Sequence, residues 1–445
     1  PFIDKLISQN QTVKIDTEIE GVVNPNIEAL TFDQALGVSW SPVTVAARKD
    51  FNKRRKLYKV TTKSGRGITV TADHNFVTLR NGKMRIMRSE AIKIGECVPL
   101  SRILPEPEPS HQPNHLILGQ LVNNWPKTLP QKIYITPRLT YLLGLITSEG
   151  HITSETLEIF NMEKTIQNAI VSTCEEIGFS YHFLCLSKSN RKIKGVRISP
   201  NHAAKLILAI GGGGKAGDKR IPSLILSSNN QKISAYLRGY FDGDGCVEQH
   251  AVTASSKSKD LISDLAYLLL RFGIIARLSP KFKRATNSVK HRGGIYWQLD
   301  VSGKNQIEKF AESIGFSHPE KIDRLKNLVS KLETSRGNTN VDTIPGLQPI
   351  FKYLHKSIYP TTEIKTPQII IDLKNGNYNP SRRQLLQAIF LCENRLNQLR
   401  SLAPYIKILR ELPSVSRLIS LGSKNKLFNH ILWEKLGDSW RNIKR

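Results

Sequence analysis

Apolar and polar positions along the chain change their spacing from one region to the next. Residues 57–62 alternate, meet a turn at residues 63–67, and resume alternation over residues 68–71. That pattern predicts a β-hairpin. A further strand, residues 76–79, meets a turn at Asn81-Gly82. Between about 130 and 335 helical and strand spacing interleave. Beyond Pro380 helical spacing dominates, with Leu385, Leu386, Ile389, Phe390 and Leu396 predicted to share one face. Further helices are predicted near residues 406–412 and 427–436. Residues 102–125 carry Pro105, Pro107, Pro109 and Pro113 and read as a linker. The expected organisation is a multidomain α+β chain. It has a strand-rich β domain plus linker over 1–125, a mixed domain over 126–335, and a mostly helical basic domain over 336–445.

The central region is one pattern written twice. Residues 142–150 and 237–245 are each an apolar, helix-like run with glycine at the third position, Gly144 and Gly239. Each ends in a carboxylate followed by glycine: Glu149-Gly150 and Asp244-Gly245. The same succession follows both. A strand (157–160; 251–254) precedes a helix (163–178; 258–272). Two strands come next (182–186 and 196–198; 276–278 and 296–301), then a helix near His202 or Asn305. This is an αββαββα unit used twice, which predicts a pseudo-two-fold domain.

Charge changes the picture. The 445 residues carry a formal net charge of +28, with 39% hydrophobic residues. The hydrophobic fraction suits a globular protein. The charge calls for a polyanionic partner, and nucleic acid is the first candidate. A membrane surface is set aside because no long uncharged apolar span is present. The cysteines, Cys97, Cys174, Cys185, Cys246 and Cys392, form no close pair and read as reduced core residues of an intracellular protein (cytoplasm or nucleoid). Cys246 is expected to pack in the interior.

Candidate chemistry follows from the repeat. A glycine after a periodic apolar run reads as a helix C-cap. Glu149 and Asp244 would then sit at the negative ends of their helices. Gly144 and Gly239 permit close approach, and two such ends brought together are costly unless a divalent metal fills the site. Basic turns lie at corresponding places in each half: Lys188, Arg191, Lys192 and Lys194 in the first, Lys281, Lys283, Arg284, Lys290 and Arg292 in the second. Two such turns in a strongly basic chain point to DNA phosphates and the major groove. Arg382, Arg383, Arg395, Arg400, Lys424 and Lys426 make the helical C-terminal region a further candidate for gripping DNA.

The paired runs resemble the two signature motifs of the LAGLIDADG homing endonucleases, with Thr147-Ser148-Glu149 where Asp-Ala-Asp is commonest. The resemblance implies a monomeric, two-repeat enzyme. It would make a staggered double-strand cut in a long DNA target by Mg²⁺-dependent phosphodiester hydrolysis, with Mn²⁺ able to substitute. Glu149 and Asp244 fall on the family's metal-binding acid, with Gly150 and Gly245 beside the metal, and Lys219 and Lys321 on its basic active-site residue. Thr71-Ala72-Asp73-His74, with residues 27–45 and 93–100, resembles the Hedgehog/intein splicing (Hint) fold. There Thr71 and His74 would polarise the scissile amide. The chain starts at Pro1 and ends Asn442-Ile443-Lys444-Arg445, so it is expected not to splice, leaving Thr71 and His74 structural. The alternatives are a LAGLIDADG protein that binds nucleic acid without cutting (an RNA maturase or a regulator) and a protein-splicing element.

Overall fold

The computed structural model describes residues 2–32, 37–49, 56–80, 83–186, 192–284, 293–333, 343–359 and 365–401. Contacts divide the chain into two units: Pro1–Thr61, Gly67–Ser101 and Thr339–Arg445 in one, Thr62–Arg66 and Arg102–Asn338 in the other.

The first unit begins with short antiparallel sheets. Ile19–Val23 pairs with both Val13–Asp16 and Val45–Lys49, and Glu28–Phe32 pairs with Val38–Pro42. Leu57–Thr61 pairs with Gly67–Thr71, the hairpin predicted from alternation. Asn75–Arg80 pairs with Lys83–Arg88. Thr71 and His74 bound a turn in which the His74 N–H donates to the Thr71 carbonyl at 3.1 Å. The buried Ser89 hydroxyl bonds the Thr71 and Ala72 carbonyls at 2.5 and 2.9 Å. In the same unit, helices Gln348–Ile358, Gln368–Asn375 and Arg382–Ser401 close over Phe351, Leu354, Ile370, Leu373, Leu385 and Ile389. Leu385, Ile389 and Leu396 share the buried face as expected. Leu386 and Phe390 do not: they are 38% and 58% exposed, because the stripe this helix buries is narrower than its apolar sequence. The helices expected at 406–412 and 427–436 lie outside the described residues.

The second unit is the αββαββα repeat. Its first half runs through helix Pro137–Glu149, strands Gly150–Ile152 and Leu157–Ile159, and helix Lys164–Ile177. Strands Ser180–Cys185 and Ile193–Ser199 and helix Asn201–Ala209 complete it. The second half repeats this with helix Asn230–Asp244, strands Gly245–Val247 and Ala251–Ser256, and helix Lys259–Leu270. Strands Arg277–Arg284 and Gly293–Ser302 and helix Lys304–Ser313 follow. Each half builds a four-stranded antiparallel sheet whose third and fourth strands are swapped in spatial order. An extra helix, Pro319–Glu333, follows the second half; sequence spacing did not predict it.

Residues 102–125 are not a free linker. Leu118 is fully buried, Val122 and Trp125 nearly so, and His115–Ile117 pairs with Lys132–Tyr134. The prolines punctuate a segment whose apolar residues join the main core. The cysteine expectation holds for Cys174 and Cys392, which are buried, and fails for Cys185 and Cys246, which are exposed. Cys246 sits between buried Gly245 and Val247 on a strand, where alternation turns the middle side chain outward.

Candidate active site

The site is made by the two motif helices, Pro137–Glu149 and Asn230–Asp244. Each starts where the sequence supplies a cap. The Thr136 hydroxyl accepts from Leu139 N–H at 3.2 Å, with Pro137 at the first helical position. Asn229 Oδ1 accepts from Lys232 N–H at 3.0 Å. The first helix buries every residue from Leu139 to Thr147, so it is an interior helix, apolar on all sides. Full burial of each large side chain contributes about 1.5–3 kcal/mol.

The helices touch backbone to backbone. A Cβ on Gly144 would lie 2.1 Å from the Tyr236 carbonyl oxygen, and one on Gly239 would lie 2.1 Å from that of Tyr141. At the far end a Cβ on Gly243 would meet Ser148 Oγ at 2.1 Å and Glu149 Cγ at 2.9 Å. The glycines therefore bring the carboxylate-bearing ends together. Gly150 and Gly245 end the helices, though in extended rather than left-handed conformation, each opening a strand. Glycine is needed there because a Cβ would fall 2.3 and 2.4 Å from the Ile146 and Phe241 carbonyls.

Hydrogen bonds lock the pair symmetrically. The Tyr141 hydroxyl donates to Asp242 Oδ2 at 2.8 Å, and the equivalent Tyr236 hydroxyl donates to Thr147 Oγ1 at 2.9 Å. Lys219 Nζ donates to the Thr147 and Ser148 carbonyls at 2.8 and 3.4 Å. Lys321 Nζ donates to those of Phe241, Asp242 and Gly243 at 3.1, 2.5 and 3.1 Å. Each lysine thus caps the negative end of one motif helix. Burial lowers the pKa of both lysines, while the nearby carboxylates oppose the shift.

Glu149 Oε2 accepts from Asn161 Nδ2 at 2.7 Å. Burial raises the Glu149 pKa, with Asn161 and Lys321 opposing. Crowding by protein pushes the Asp244 carboxyl up to about 7; Lys219 opposes this and Glu149 adds to it. Asp244 is nevertheless exposed at its outer edge, so water screens part of the effect. Two acids held against their charged forms beside one another suit a divalent cation. Among the described residues no group of three or more His, Cys, Asp or Glu could hold a metal by itself. The donor set fits Mg²⁺, which binds through one or two carboxylates with substrate phosphates supplying the rest.

One consequence is measurable on the metal-free protein. The folded Asp244 pKa of about 7 lies above its ordinary 3.8, so the folded state binds more protons between those values. That contribution is fully present below 3.8 and lost as pH rises through about 7. In EDTA, raising pH from 4 to 8 should therefore lower the melting temperature of wild type relative to Asp244→Asn. With screening the expected difference is about 1 kcal/mol, or roughly 2–4 °C. Parallel curves for the two proteins would refute it.

The expected DNA-facing residues are only partly described. Lys188, Arg191, Lys290 and Arg292 lie outside the described residues. Lys281, Lys283 and Arg284 are exposed along the strand Arg277–Arg284, and Lys283 Nζ donates to Ser255 Oγ at 2.7 Å. Lys192 is exposed, and Lys194 lies 5.7 Å over the Phe160 ring. A cavity of about 620 Å³ opens beside Glu149, lined by Phe160, Asn161, Lys194 and His318 among others. Asn161 and Asp242 escaped the sequence reading. The Asp-Gly-Asp of the second motif was a signal for Asp242; nothing local pointed to Asn161.

Residues 231–315 match the LAGLIDADG-like domain family, so this chain contains a LAGLIDADG-like domain. Among curated relatives, the DNA-directed RNA polymerase subunit Rpo1C of Methanocaldococcus jannaschii is 26% identical over 82% of this chain and 42% of its own length. The Replication factor C small subunit of the same organism is 26% identical over 79% of this chain and 17% of its own. Replicative DNA helicase DnaB of Rhodothermus marinus is 27% identical over 65% and 29%. The chain thus spans less than half the length of these relatives. Among solved structures, I-DmoI in complex with DNA and calcium is similar at 14% identity and a TM-score of 0.31, covering 43% of this chain and 98% of that one.

Proposed function

We propose that this chain is an intein-derived, site-specific homing endonuclease. It would make a staggered double-strand cut in a long DNA target by Mg²⁺-dependent phosphodiester hydrolysis. The observation that carries the reading is the joining of two carboxylate-bearing helix ends by backbone contact at Gly144 and Gly239, with a lysine capping each end. A helix pair serving only as a core has no need to gather two acids at one surface and hold them against ionisation. The LAGLIDADG-like match over the second repeat supports the same reading.

Glu149 and Asp244 would hold the cation, with Gly150 and Gly245 beside it. When bound, Mg²⁺ would supply charge neutralisation at the phosphodiester and a polarised water. Asn161 orients Glu149. Lys321 spends its three N–H groups on helix carbonyls, so its support to the reaction is through charge rather than a hydrogen bond to phosphate. Lys219 keeps one N–H beyond its two carbonyl partners. The basic strand Arg277–Arg284 and the Lys192–Lys194 region would receive DNA backbone, and a single chain carries both half-sites. The three-helix module of the first unit, with Arg383 exposed, would be an accessory DNA contact.

Intein ancestry is supported by where similar segments occur. They lie within an RNA polymerase subunit, a Replication factor C subunit and a DnaB helicase, in each case occupying less than half of the relative. The Thr71–His74 turn and the surrounding hairpins are consistent with a splicing-type β domain.

The test is a plasmid library of candidate targets incubated with the protein in Mg²⁺, in Mn²⁺ and in EDTA. Linear products with one recurring end sequence, in metal only, are expected. Gel shifts without cutting in either metal would overturn the nuclease and favour a binder that does not cleave.

A further inference from the structure

Asp242 is one of the most buried charged side chains in the second unit, at 1% exposure, yet it is neither the motif's terminal acid nor one of the active-site lysines. Its carboxylate gathers three donor groups. The Tyr141 hydroxyl reaches it from the first motif helix. The Ser317 N–H donates to both carboxylate oxygens at 2.9 and 3.0 Å, and the His318 N–H to one at 3.1 Å. Ser317 and His318 immediately precede helix Pro319–Glu333, so the carboxylate satisfies N–H groups at the positive end of that helix. That helix carries Lys321 in its first turn. The Lys321 ammonium returns to the carbonyls of Phe241, Asp242 and Gly243. The result is a closed loop: the Asp242 side chain holds the helix that carries Lys321, and Lys321 holds the backbone of Asp242.

The other half of the repeat is built differently. Thr147 occupies the equivalent place, and its hydroxyl accepts from Tyr236 and donates to the Leu143 carbonyl. It captures no N–H from the Lys219 segment. That segment is tied instead to helix Lys259–Leu270: the Ser258 hydroxyl donates to the Lys219 carbonyl at 2.7 Å, and the Arg220 guanidinium donates to both Asp264 carboxylate oxygens at 2.7 and 3.0 Å. In the first half the ties come from a neighbouring helix, whereas in the second a charged carboxylate on the motif helix itself accepts the N–H bonds of the lysine-bearing segment. The two half-sites therefore differ in how their lysines are fixed.

Resting on the nuclease reading, we propose that Asp242 is a positioning residue that acts through Lys321, and that it serves one half-site and hence one DNA strand more than the other. Asp242→Asn keeps the shape of the side chain but loses its charge and one acceptor. The lysine then loses its fixed place over the end of the second motif helix. A displacement of about an ångström in such a group slows catalysis by ten- to a hundredfold.

The experiment uses the full chain and a supercoiled plasmid carrying one cleavable site. Asp242→Asn should bind the site as wild type does. In Mg²⁺ it should accumulate nicked circles before linear product, and primer extension should place the nick in the same strand every time. Lys321→Met should show the same bias, and the double variant should be no slower than Lys321→Met alone, since coupled residues fail to add. Should Asp242→Asn not fold, Asp242→Thr copies the residue found at the equivalent place in the first helix and makes the same test. Two slowing effects that multiply, nicks spread evenly over both strands, or wild-type rates in the variant would each overturn the assignment while leaving the nuclease intact. A wild type that binds DNA and cuts nothing would overturn both.

Discussion

Asp244→Asn is expected to abolish double-strand cleavage while leaving the fold and DNA binding in place. The substitution keeps the volume of a side chain that already sits at the rim of the site, exposed at its outer edge. It removes one of the two charges that would hold Mg²⁺ and weakens affinity for the cation at the reacting phosphate. Loss of metal-derived stabilisation amounts to several kcal/mol, which is on the order of a 10³-fold or greater fall in rate. Glu149→Gln should have a comparable effect on the other half-site, and Asn161 would still satisfy its amide oxygen. Melting temperature in EDTA should not fall for Asp244→Asn. It should rise slightly above pH 7, since the variant no longer carries a carboxylate whose ionisation is opposed by crowding. The check is a time course of plasmid linearisation beside a gel shift and a thermal melt. A variant that cuts at a tenth of the wild-type rate or faster would remove Asp244 from the centre of the reaction.

Gly144→Ala and Gly239→Ala are expected to be strongly destabilising single-methyl additions in the second unit. The added Cβ would stand 2.1 Å from a carbonyl oxygen of the opposite helix, where contacts under 3.0 Å essentially never occur. The obstacle is backbone, so no rotamer can relieve it. The helices must part, and Leu143, Tyr236, Tyr240 and Phe241 lose their packing. Overpacking of this kind costs about 3 kcal/mol, a fall of roughly 10 °C for a unit of this size. Gly119→Ala is the control, because a Cβ there meets nothing within 4 Å. Thermal denaturation decides the matter, and an unchanged melting temperature for Gly144→Ala would mean the helices do not touch as described. Because parting the helices also parts Glu149 from Asp244, any folded Gly144→Ala protein should cut poorly.

Much of this was legible locally. The αββαββα succession could be read from periodicity because each element buries one stripe or one face, and burial imposes a period of 3.6 or 2. The exposed Cys246 was also within reach, since it alternates with Gly245 and Val247 on a short strand. The fate of residues 102–125 was not. Prolines announce where regular structure breaks, but they say nothing of whether Leu118 finds a core to enter. Leu386 and Phe390 misled for the converse reason: a helix can carry more apolar residues than its neighbours cover.

By itself the sequence determined the two glycine-acid helices, the doubled order of elements, the hairpin ahead of Thr71 and the strong positive charge. Each of these is written in adjacent residues or in composition. Only the tertiary structure decided which groups meet. Tyr141 and Asp242 are separated by 101 positions, Asn230 and Glu106 by 124, and Lys321 reaches back 78 to 80 positions to the carbonyls it caps. Such pairs carry no local period, because a hydrogen bond across packed helices depends on crossing geometry rather than on neighbours in the chain. The glycines link the two levels. Their positions were plain in the sequence, and the contact of backbones that they permit is what turns two ordinary helix ends into one acidic site.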